Sequence, residues 1–143
     1  MMPVSFEKLR KYPHMMPNDI GIWERFIEQY PDRFDVIEYD VHVGAGRGYH
    51  DYDPEWKIRL AKAITQFRID AVGWIGPSPT IVEVKPYAGL SALGQLKAYS
   101  HYFTREFPQS PLPFLMIVTD ETLPEIVELY EENKIEVIQV GSP

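Results

Sequence analysis

Polar and apolar positions along the chain fall into short periodic blocks separated by proline and glycine. Ile22, Trp23, Phe26, Ile27 and Tyr30 recur at helical spacing after Asn18 or Asp19, either of which can cap a helix that Pro31 ends. Before it, residues 1–17 carry Pro3, Pro13 and Pro17 and read as an irregular arm to a single domain over 18–143. Phe34 to Val43 is rich in β-branched and aromatic residues, as strands are. Gly44, Gly46 and Gly48 mark a loop, and Pro54 suits the first turn of a short helix through Trp56, Leu60 and Ile64. Phe67–Trp74 and Thr80–Lys85 read as two strands joined by Gly76-Pro77-Ser78-Pro79. A long helix is predicted from Leu90 to Phe107, closed off by Pro108, Pro111 and Pro113. Phe114–Thr119 is a nearly uninterrupted apolar run, as in a strand buried on both faces. An amphipathic helix over Glu121–Asn133 and a strand over Ile135–Val140 complete the order. A hairpin followed by β-α-β units predicts an α/β fold, a mixed central sheet flanked by helices.

Composition narrows this only a little. A chain of 143 residues with 45% hydrophobic and 24% charged residues can bury a core and is not disordered. No apolar run is long enough to cross a membrane as a helix, and the opening residues are not laid out as a signal peptide. The absence of cysteine removes disulfides, thiolate zinc sites and a cysteine nucleophile. The expected address is therefore the cytoplasm of a cell, or of a cell hosting a virus. The net charge is −7, which at first sight disfavours a nucleic-acid partner. Its distribution is uneven: residues 1–43 carry −3, residues 44–107 carry +2, and residues 108–143 carry −6. The C-terminal third is strongly acidic and the middle third mildly basic.

That third also holds the informative hairpin. Side chains alternate faces along a strand, so Glu83 and Lys85 share one face while Val82 and Val84 share the other. Folding the hairpin about Gly76 and Pro77 sets Asp70 opposite Glu83, side chains about 5 Å apart. The same register pairs Ile69 with Val84 and Ala71 with Val82 on an apolar face, and a one-residue slip would bury the acids. Two carboxylates so close repel unless a cation lies between them. Mg²⁺ or Mn²⁺ fits best, because hard cations take carboxylate and water oxygens. Lys85 on the same face could position or activate a water, or contact a phosphate oxygen. Acid, acid and lysine around such an ion suit metal-assisted phosphodiester hydrolysis. The plainer alternative is a pair of surface ion pairs with Arg68 and Lys85.

The following helix adds Gln95 and Tyr99, four apart on one face that Ala88, Ala92 and Tyr102 extend. With Asp70, Glu83-Val84-Lys85 and Gln95-Leu96-Lys97-Ala98-Tyr99 in this order, residues 20–119 resemble the PD-(D/E)XK nuclease superfamily, particularly its RecB-like and Holliday-junction-resolvase-like branches. The resemblance implies a restriction-endonuclease-like αβββαβ core, here with a C-terminal αβ extension. It implies that Asp70 and Glu83 bind Mg²⁺ or Mn²⁺ with the Val84 carbonyl, that Lys85 acts on the water, and that Gln95 and Tyr99 orient this shell. An acidic residue of the first helix, a further metal or water ligand in these nucleases, corresponds to Glu24, with Glu28 as the alternative. Ile69 stands where the superfamily often has proline.

The remaining candidates are weaker. Gly44-Ala45-Gly46-Arg47-Gly48 lacks the spacing of a phosphate-cradling loop, although Arg47 could touch a backbone phosphate. Arg68, Arg59, Lys62 and Lys97 are the other expected phosphate contacts. His14, His42, His50 and His101 lack metal-ligand spacing and stay outside the site. The leading expectation is a DNA endonuclease or exonuclease, phage-encoded or cellular. The competing one is a non-catalytic nucleic-acid-binding or virion structural protein that keeps the fold. A homodimer or larger complex would suit double-strand or junction cutting.

Overall fold

The computed structural model describes residues 3–141. Its strands are β1 (Val4–Ser5), β2 (Val36–Val43), β3 (Phe67–Ile75), β4 (Ser78–Tyr87), β5 (Phe114–Glu121) and β6 (Ile135–Gln139). The helices are α1 (Pro17–Gln29), α2 (Glu55–Thr65), α3 (Leu90–Glu106) and α4 (Pro124–Glu132). The strands form one sheet in chain order; β1 to β4 are antiparallel neighbours, and β4, β5 and β6 run parallel. The sheet is therefore mixed, as the element order predicts.

Two apolar layers sandwich it. On one face Trp23, Phe26 and Ile27 of α1 pack with Phe6, Phe34, Ile37, Tyr39, Ala71, Val82, Val84 and Met116. On the other, Ala92, Leu96, Tyr99 and Phe103 of α3 and Tyr130 of α4 pack with Val43, Ile69, Val72, Ile81 and Ile117. Both parallel crossovers thus lie on one face, as consecutive right-handed crossovers advancing across a sheet require. No residue of α2 is buried. Its Trp56, Leu60 and Ile64 remain largely exposed.

Several boundaries move for physical reasons. Pro17, expected in the arm, sits in the first turn of α1, where its missing N–H costs nothing. Two arm residues pair with β2, and Phe6, Tyr12 and Met15 of the arm bury against α1 and β2. The β3–β4 turn shortens to Gly76-Pro77, because the ladder continues to Ile75 opposite Ser78. Gly76 has φ +54°, and proline next supplies negative φ, the sign pattern of a type II′ hairpin turn. Strand β5 runs on to Glu121, held by Tyr87, so α4 starts at Pro124 rather than Glu121.

Candidate functional site

The site lies where the β3–β4 ladder stops. Ile75 to Ala71 pair with Ser78 to Val82, including the expected Ala71–Val82 pair, and the regular register then ends. Ile69 does not reach Val84 on a shared apolar face, contrary to expectation. It packs in the α3 layer, while Ala71 and Val84 pack in the α1 layer. Strand alternation is broken at Asp70. The Asp70 carboxylate instead turns toward β4, where its Oδ2 accepts the Val84 N–H at 2.9 Å.

Glu83 comes from β4 and faces α3. It is 4% exposed, and its Oε2 has no hydrogen-bond partner. Burial, and then the hydrogen bond and charge of Asp70, push its pKa up to about 10; Lys85 and Tyr99 oppose the shift. Tyr99 is itself buried, and burial followed by the charges of Glu83 and Asp70 raises its phenol pKa. One turn earlier on α3, Gln95 also holds a buried, unpartnered amide oxygen. A buried polar atom without a partner costs roughly 1–3 kcal/mol, so two on one side of the sheet mark a place shaped for something further. Asp70, Lys85 and Tyr99 thus act on Glu83 from β3, β4 and α3, and Gln95 lies one turn from Tyr99 on α3.

The first helix contributes differently from expectation. Glu24 accepts a hydrogen bond from the Tyr12 hydroxyl at 3.0 Å, and that hydroxyl accepts the Leu9 N–H at 2.8 Å. Glu28 pairs with Lys8. The α1 carboxylate that senses the site is Asp19. Burial and then the Asp70 charge raise its pKa, against a backbone hydrogen bond at Met16 and the charge of Lys85. In the sequence Asn18 or Asp19 reads as the cap residue, but Pro17 starts the helix before either, so Met16 is the cap and Asp19 lies in the first turn. Only the packing of α1 across β4 reveals its neighbourhood with Asp70.

The cations are spread out. Arg68 is engaged by Asp40, its Nε and Nη2 donating to the two carboxylate oxygens at 2.8 and 2.6 Å, so it is not a free phosphate contact. Lys97 donates to the Asn133 side-chain oxygen at 3.3 Å. Arg59 pairs with Glu55 along α2, and Lys62 lies 5.8 Å from the centre of the Tyr49 ring. Arg47 is tied to Thr65, its backbone N–H donating to Oγ1 at 2.7 Å and its Nη1 to the carbonyl at 3.3 Å. Arg47, Arg59 and Lys62 therefore sit on the loop and helix that lead into β3. His42, set aside on spacing, approaches Asp40 at 3.4 Å.

Among the described residues, no group of three or more His, Asp or Glu side chains is gathered to hold a metal ion. What is present is a pair, with a main-chain carbonyl adjoining. Mg²⁺ commonly takes one or two carboxylates and keeps several waters, so this donor set fits it, and the unpartnered Glu83 oxygen is where such an ion would be met. A proton on Glu83 otherwise relieves the repulsion.

No family model matches the chain, and no curated protein matches it by sequence. Solved structures do. A repair endonuclease from Pyrococcus abyssi aligns with a TM-score of 0.51 and 14% identity over 94% of this chain and 50% of that one. EndoMS in a complex with dsDNA aligns with a TM-score of 0.51 and 13% identity over 95% of this chain and 50% of that one. The fold is shared with these endonucleases. The chain spans about half the length of either. No helix among the described residues is long and apolar enough to cross a membrane.

Proposed function

We propose that this chain is a metal-dependent nuclease of the PD-(D/E)XK type that hydrolyses DNA phosphodiester bonds at Asp70, Glu83 and Lys85. The observation that carries the reading is Glu83, a buried carboxylate with an unpartnered oxygen, pressed against Asp70 on a strand that also carries Lys85. A purely structural core has no use for such a pair. One structural neighbour is described as a repair endonuclease and another was solved with dsDNA, which supports the same substrate class.

In this mechanism Asp70 and Glu83, with the Val84 carbonyl, would hold Mg²⁺ or Mn²⁺. Such an ion would supply Lewis-acid activation of water and offset charge developing on the phosphate. Asp70 is held in aim by the Val84 N–H. Tyr99 favours the charged form of Glu83, which binding needs. Lys85 carries a positive charge beside Glu83 and donates to the attacking water or to a phosphate oxygen. Gln95 offers its free amide oxygen to the same shell. Asp19 takes the α1 position assigned above to Glu24, and Arg47, Arg59 and Lys62 supply backbone phosphate contacts.

The test is cleavage of linear, single-stranded, circular and branched DNA with Mg²⁺ or Mn²⁺, beside Lys85→Ala and Asp70→Ala. Metal-dependent cutting lost in both variants is the expected result. Uncut DNA of every form would overturn it and leave a non-catalytic nucleic-acid-binding domain.

A further inference from the structure

We propose that the Asp40–Arg68 ion pair is a positioning device that turns Asp70 out of the sheet's pleat and toward Val84. Three observations converge on one level of the sheet. The β2–β3 register pairs Tyr39 with Ala71 and Val41 with Ile69, which would set Asp40 directly against Asp70, yet that pair is absent from the ladder. At this level both strands exchange faces: Tyr39 and Ala71 pack in the α1 layer, Val41 and Ile69 in the α3 layer. Asp40 itself has φ +54°, a left-handed conformation rare for any residue but glycine and best tolerated by Asn and Asp.

The cause lies in charge. Carboxylates directly opposite on neighbouring strands stand about 5 Å apart and destabilise the pairing. The left-handed turn at Asp40 swings its carboxylate to Arg68, which binds both oxygens in the bidentate geometry that arginine favours. His42 stands at 3.4 Å from the same carboxylate and adds a second cation when protonated. Asp40 is thereby neutralised and drawn aside. Asp70, at the exchange point on β3, is free to turn into the gap where the β3–β4 ladder ends. Without the pair, Asp70 would share a face with a bare carboxylate at its back. Asp40 and Arg68 touch no substrate atom in this scheme and act through Asp70. The consequence for catalysis rests on the nuclease reading; the structural claim does not.

The test follows the Val84 amide by native-state hydrogen exchange in Arg68→Gln, Asp40→Asn and Asp40→Gly. Arg68→Gln leaves the Asp40 carboxylate bare, and Val84 exchange should accelerate roughly tenfold, the weight of one ordinary hydrogen bond, while amides of Thr80 to Val82 keep their protection. Asp40→Asn and Asp40→Gly remove the opposing charge and should leave Val84 protection near that of the wild type, and adding Asp40→Gly to Arg68→Gln should restore it, which separates the charge effect from poor folding. In a protein that cuts DNA, kcat should fall in Arg68→Gln with KM unchanged. Unaltered Val84 protection in Arg68→Gln would overturn the proposal. That measurement is decisive whether or not the wild-type chain cuts DNA.

Discussion

The two halves of the β3–β4 hairpin are built from the same strands and behave as different materials. Toward the turn the ladder is regular from Ile75–Ser78 to Ala71–Val82, and alternate side chains enter one apolar layer or the other. The Gly76 N–H is bonded to Asp35 at 2.8 Å, and Gly73 lets the Phe34 ring lie flat against the strand. Toward the site the ladder fails, the faces exchange, and a buried carboxylate oxygen has no partner. The first half uses complementary packing to fix the strands. The second gives up a sheet hydrogen-bond pattern to aim side chains. One element can serve stability and chemistry when the change from one to the other falls between adjacent residues, here Asp70 and Ala71.

The sharpest way to break this contrast is to strike the site half. Asp70→Ala and Lys85→Ala should lower metal-dependent DNA cleavage by about 10³-fold or more, as loss of a preorganised electrostatic group does, with little change in the melting temperature. Gly73→Ala strikes the turn half. Its Cβ would meet the Phe34 ring at 2.6 Å, so it should destabilise by about 1–3 kcal/mol in urea titration while activity per folded molecule is kept.

Glu83→Gln separates the halves by sign. Glu83 carries a raised pKa of about 10 in the folded chain against 4.5 unperturbed, so the folded state binds the extra proton. Its stabilising contribution is complete at low pH and is lost as pH rises between those values. Wild-type stability should decline over that window, and Glu83→Gln should flatten the decline, so that the variant gains on the wild type as pH rises. Denaturant titration of both chains from pH 5 to 9 measures it. The smallest effect belongs to neither half: Leu60→Ser on exposed α2 should stay within about 0.5 kcal/mol.

The sequence made most of the regular half legible. Apolar alternation located β3 and β4, and the facing of Ala71 with Val82 followed from the turn. Apolar spacing placed α1, α3 and α4 on their elements, and glycine with proline marked the turn. What stayed hidden depends on partners distant in the chain. A period of two assumes an unbroken pleat, so it carried Ile69 to the wrong layer. Nothing local distinguishes an aspartate in left-handed conformation from one in a strand, so the pattern marks neither Asp40 as a break in the strand nor Arg68 as its partner. Glu24 and Asp19 lie on one helix, and helical spacing alone does not show that the Asp70 charge acts on Asp19 while Glu24 accepts from Tyr12 of the arm. The two-residue strand in the arm is too short to carry a pattern.

The most direct measurement is calorimetric titration of the DNA-free chain with Mn²⁺, wild type beside Asp70→Ala and Glu83→Gln. Saturable binding at one site in the wild type, lost or much weakened in both variants, is expected if the two carboxylates form a metal centre. Equal binding in all three, or none in the wild type, would contradict it.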